Sequence, residues 1–150
     1  MSNRFRLGIV LRLREMTEES ARIDLGHAVQ AHQRAVALVQ AAQGRAGDDM
    51  RWLSNLQRSR AEAGQLQSAV MAVAAAQRAI VAAQERLGRA SSALFEARQA
   101  LAEATRQREV VERLRDRFMA DERRARDRLD ILAMAEIASS QRATRAARNR

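Results

Sequence analysis

A seven-residue repeat dominates this chain. Every seventh residue from Leu66 is a large aliphatic: Leu66, Val73, Ile80, Leu87, Leu94 and Leu101. Three residues after each of these stands an alanine: Ala69, Ala76, Ala83, Ala90, Ala97 and Ala104. Apolar residues in strict 3-4 spacing draw one stripe along an α-helix, and a stripe kept this long is the seam of a coiled coil. Alanine at one seam position lets a neighbouring helix approach closely. The chain also has no proline in 150 residues and only six glycines, so it carries few of the residues that break helices or build turns.

The N-terminal part has a related pattern. Positions 7, 11, 14, 18, 21, 25, 28, 32, 35, 39 and 42 are Leu, Leu, Arg, Glu, Ala, Leu, Ala, His, Ala, Val and Ala. Arg14, Glu18 and His32 interrupt an otherwise apolar stripe. Between the two patterns lies Gly44-Arg45-Ala46-Gly47-Asp48-Asp49. Two glycines suit a helix C-terminus and turn, and an aspartate suits the N-cap that follows. Gly64 is the second choice for a turn.

These signals predict an all-α fold, an antiparallel two-helix coiled-coil hairpin with a longer, overhanging C-terminal helix. The first helix is expected over about residues 5–43, the turn over 44–49, the second helix over about 49–140, and a basic tail over 141–150, all in one domain. A short loop makes the helices antiparallel neighbours, so positions 28 and 65 are expected to face each other. Residue 5 would then face about residue 88, and the second helix would run on uncovered. That stretch carries a weaker stripe of Val111, Leu114, Phe118, Ala125, Leu129 and Leu132. An apolar stripe with no cover points to an interaction surface. Val111, Leu114, Phe118, Leu129 and Leu132 are the candidate partner-binding residues. Trp52 and Leu56, just past the expected turn, either plug the hairpin tip or make a second contact. Glu109–Arg113, Glu112–Arg115 and Glu122–Arg126 are spaced to pair along an exposed helix.

Catalytic chemistry finds no foothold. Without cysteine there are no disulfides or thiolate metal sites. His27 and His32 are five residues apart, too far around a helix to grip one metal together. No phosphate-cradling glycine loop and no nucleophile elbow occur, and a thin coiled coil offers no water-excluded cavity. We expect no catalytic residue, no cofactor and no metal. No unbroken apolar run approaches the ~18 residues of a membrane span; the longest obvious one is Ala69–Ala76.

The formal net charge is +9, and every basic residue is arginine. Arg4, Arg6, Arg12 and Arg14 at one end, and Arg142, Arg145, Arg148 and Arg150 at the other, stand without acids among them. Residues 15–141 hold 19 arginines against 18 acids, which is nearly neutral. A nucleic-acid binder would interleave aromatics with its basic residues, and Phe5, Trp52, Phe95 and Phe118 are the only aromatics. No specific nucleic acid is expected. An adaptor or stalk in a larger machine fits better, with a basic nucleic-acid-binding or scaffold coiled coil as the alternative.

The opening Phe5-Arg6-Leu7-Gly8-Ile9-Val10-Leu11 has the spacing F-x-L-x-x-V-L and resembles the start of the FliJ family of flagellar export proteins. Val110 to Phe118, followed by Met134-Ala135-Glu136-Ile137-Ala138, looks like that family's charged C-terminal helix. There the family usually has L-D-E-x-A, and here Ala135 replaces the aspartate. The resemblance implies an antiparallel hairpin similar to the central stalk of rotary ATP synthases. It implies association with the export ATPase (FliI-like), the export gate protein (FlhA-like) and export chaperones, with self-association also open. The apolar stretch Leu7–Leu11 stops at Arg12, too short for a signal peptide, so with no apolar run of membrane-span length a cytoplasmic protein without a transmembrane segment is expected. The resemblance places it at the flagellar base, peripheral to the cell membrane, with no ATP hydrolysis by the chain itself. The equivalent stalk protein of virulence-type III secretion systems is the nearest related reading.

Overall fold

A computed structural model describes residues 2–148, and the side chains of residues 7–145. It holds two helices, α1 (Ser2–Arg58, 57 residues) and α2 (Ala63–Arg148, 86 residues), packed against each other as a hairpin. No strand occurs among the described residues. The chain divides into two compact units, Met1–Glu15 with Arg106–Arg150, and Met16–Thr105. Each unit takes a piece of both helices. The basic tail expected from residue 141 continues α2 as far as Arg148.

The turn lies at residues 59–62, and this corrects the expected turn at 44–49. The seam explains why. In α1 the 3-4 spacing passes through the glycine pair without a slip: after Ala42 come Ala46, Asp49, Leu53 and Leu56, all buried or half-buried. A bend at Gly44 would have pulled Leu53 and Leu56 off the interface. The phase breaks only in Gln57-Arg58-Ser59-Arg60, where no apolar residue is available. Gly44 and Gly47 are ordinary helical residues without positive φ, and a Cβ added at either meets nothing within 4 Å.

Capping groups hold the turn without glycine. The Ser59 amide donates to the Asn55 carbonyl at 3.1 Å, and the Ser59 hydroxyl to the Leu56 carbonyl at 3.2 Å. At the start of α2 the Glu62 carbonyl accepts from the amides of Gln65 and Leu66 at 3.0 and 3.2 Å. The Gln65 side-chain oxygen accepts from the Glu62 amide at 3.3 Å, which is half of a capping box. Gly64, the second-choice turn residue, falls in the first turn of α2.

All twelve α2 seam positions from Leu66 to Ala104 are buried or half-buried, and so are all eleven α1 positions from Leu7 to Ala42. Ala69 is completely covered, at 0% exposure. Alanine allows this because it brings the α1 backbone close. In the unit of residues 16–105, the Thr105 hydroxyl donates to Glu18 Oε1 at 3.0 Å. Arg22 Nη2 also donates to that oxygen, at 3.2 Å. Glu18 thus sits buried in the seam with its carboxylate hydrogen-bonded. In the other unit, Arg14 Nη1 donates to Gln107 Oε1 at 2.6 Å. The paired residue numbers sum to 123 and 121 respectively. Position 28 therefore faces about 94, not 65, and the start of α1 faces about residue 119.

Cover along α2 thus extends some thirty residues beyond the expected end near residue 88. Every described side chain from Arg123 to Arg145 is exposed. The helical ion pairs are close to those expected. Arg113 meets Glu109 at 3.4 Å and Arg126 meets Glu122 at 3.8 Å. Glu112 pairs with Arg108 at 2.7 Å instead of Arg115, which turns to Asp116 at 3.2 Å.

One observation bears on the membrane expectation without overturning it. α2 contains an 18-residue window of mean hydropathy 1.4, long and apolar enough by composition to cross a bilayer, and 17% of it is buried. The unbroken run ends at Gln77, but averaging over a longer window tolerates Gln77 and Arg78. An amphipathic seam helix rich in alanine passes the same test.

Two outcomes follow from this packing. Gly44→Ala and Gly47→Ala should each stabilise the hairpin by roughly 0.5–1 kcal/mol in urea unfolding, because both positions are open and helical. A turn at 44–49 would instead make both destabilising. Thr105→Val should cost about 1–3 kcal/mol, since it removes a donor from a buried carboxylate. Adding Glu18→Leu to it should recover most of that loss.

Candidate partner-binding surfaces

Three exposed apolar surfaces stand out, and all three include residues that the sequence did not single out as candidates. The first is the uncovered end of α2. Leu129 and Leu132 are 65% and 62% exposed there. Ile131, Met134 and Ile137 are exposed beside them. They lie off the heptad stripe, which is why periodicity missed them; on a helix with no partner, every face is available. Residues 123–145 carry six arginines against three acids, so the apolar side chains stand in a basic field.

The second surface lies where both helices of the same unit run together. Val111 and Phe118 are half-buried, because α1 reaches them, contrary to the expectation that they have no cover in the chain. Leu114 is 49% exposed. Leu114 and Val110 each precede a seam position of α2. Val10 and Leu13 likewise precede the α1 seam positions Leu11 and Arg14. In an antiparallel pair such residues share one side of the seam, and all four are exposed. The signal was legible where two apolar residues stand together at the seam, as in Val10-Leu11 and Val110-Val111.

The third surface is a groove of about 630 Å³ in the unit of residues 16–105. Ala75, Ala79 and Ala82, all exposed, line it together with Leu38, Arg45 and Arg86. Alanines that are useful inside the seam leave a shallow apolar trough where they continue onto the outer face. Single alanines carry little signal in a sequence this rich in them, so only the structure displays the groove.

Trp52 and Leu56 separate. Trp52 is 43% exposed on α1, before the turn, so it does not plug the hairpin tip. Leu56 is half-buried as a seam residue. His32 is half-buried on the seam and His27 is exposed. Among the described residues, no group of three or more His, Asp or Glu side chains could hold a metal ion.

The arrangement is one of exposed apolar surfaces on a helical scaffold. A comparison with protein families agrees with it: the family model described as Flagellar FliJ protein matches residues 2–147 of this chain. No curated protein and no solved structure matches the chain. A match over nearly the whole length, with the hairpin and the N-terminal F-x-L-x-x-V-L pattern, places the chain in the FliJ family of flagellar proteins.

Proposed function

We propose that this chain is the stalk of a flagellar type III export ATPase, seated by the end of α2 in the ATPase ring and linked through its other surfaces to the export gate and export chaperones. FliJ proteins are non-catalytic components associated with flagellar export. The observation that carries the finer reading is the uncovered end of α2. Leu129, Ile131, Leu132, Met134 and Ile137 all face solvent, and burying each would contribute about 1.5–3 kcal/mol. Arginines around them would meet acidic loops of a ring and speed docking, an effect that salt weakens. An adaptor needs a second contact, and the alanine-lined groove supplies one at a distance in sequence from the first. The protein works on the cytoplasmic side, at the membrane face of the flagellar base, and turns over no ATP itself.

Leu129→Glu with Leu132→Glu tests the first contact, because it places charges in the exposed apolar face without touching the seam. Pull-down by the cognate export ATPase should fall at least about tenfold, with circular dichroism unchanged. Ala79→Arg in the groove should leave ATPase binding intact and weaken capture of the gate or chaperones. Wild-type ATPase binding by the double variant, together with loss of a dimer in solution, would show that a second copy covers the end of α2. The stalk assignment would then fail.

A further inference from the structure

We infer that the end of α2, residues 123–145, is a marginal helix in the free protein that becomes firmly ordered only when a partner covers it, so that docking and ordering are one coupled step. This rests on the stalk reading for the identity of the partner, but its physical basis is independent of it. Helices in proteins draw most of their stability from packing an amphipathic face, and an unpacked helix in water stays near balance. No described side chain from Arg123 to Arg145 is shielded enough to be even half-buried. Local contacts within the helix are present. Arg124 and Arg126 pair back along the helix to Asp121 at 3.5 Å and Glu122 at 3.8 Å. Arg123 donates to the Met119 carbonyl at 3.3 Å. Ser139, Ser140 and Thr144 turn their hydroxyls back onto the carbonyls of Glu136, Ile137 and Ser140 at 2.8–2.9 Å. Such back-bonding does little for a helix and competes with its regular pattern.

The sequence of the arm still keeps it ready to be helical. It contains no glycine or proline, and it continues directly from the covered part of α2, so the unfavourable nucleus is already formed. A partner that buries Leu129, Leu132 and Ile137 need only tip a near-even balance. Coupled ordering of this kind lowers affinity per contact and makes the contact easier to release. That suits a part that must engage and disengage repeatedly.

Amide hydrogen exchange on the full chain, alone and with the cognate export ATPase, tests this directly. In the free protein, amides of 123–145 should exchange within about tenfold of unstructured rates, while seam amides of 66–104 are slowed by roughly a thousandfold or more. Adding the ATPase should slow the arm at least about tenfold. Slow exchange of the arm in the free protein would overturn the inference and leave the stalk reading untouched. Fast exchange that the ATPase, bound in the same sample, fails to slow would also overturn it. Loss of ATPase binding altogether would remove the stalk reading and the coupled step with it. Leu129→Ala with Leu132→Ala adds a second check. Alanine is at least as good a helix former as leucine, so free-state exchange should not quicken. Slowing by the ATPase should nonetheless be lost, and its full retention would contradict the proposal.

Discussion

Close packing of alanine against large aliphatic residues along one seam is the interaction on which everything else depends. Each heptad of α2 from Leu66 to Ala104 presents the same pair of residues, and α1 answers with Leu, Ala and Val in the same spacing. Small seam residues let the backbones approach closely, and Ala69 is completely buried in the seam. They also keep the core thin. Among the described residues, no large side chain is fully buried. A chain built in this way has little interior and much outer surface.

The seam also decides where the chain stops covering itself. Because α1 runs on to Arg58, its reach along α2 extends to about residue 119. This protects Val111 and Phe118 and leaves Leu129 and Leu132 open. Polar residues on the seam accompany this pairing. Glu18 finds a donor in Thr105, and Arg14 finds an acceptor in Gln107. Aliphatic heptads that repeat identically discriminate poorly between registers, so these paired polar groups and the short turn at 59–62 carry the information that the leucines and alanines lack.

Much of the fold was legible in the sequence because heptad spacing is a direct image of helix geometry. The stripe from Leu66 to Ala104 and the one from Leu7 to Ala42 are both where periodicity places them. The turn was misplaced because glycine was weighed above phase. Gly44 and Gly47 look like a stop, but Ala46, Asp49, Leu53 and Leu56 keep the count across them. The true turn uses serine and glutamine caps, which are weak signals one at a time. The candidate surfaces were legible to a lesser extent. Leu129 and Leu132 could be found as a stripe that outruns its partner. Ile131, Met134 and the alanine groove lie off the stripe, and only the register of the two helices shows that no described residue covers them.

The register is therefore what must be tested. The chain has no cysteine, so introduced thiols report without interference. Leu25 and Ala97 are both half-buried seam residues, with residue numbers summing to 122. Leu25→Cys with Ala97→Cys should close rapidly within one chain under mild oxidation or a short thiol cross-linker. Leu25→Cys with Ala69→Cys, the pair that a turn at 44–49 would bring together, should remain open. Closure of the second pair and not the first would place the bend at the glycines. It would also uncover α2 from about residue 90, and contradict the account of both the seam and the surfaces that depend on it.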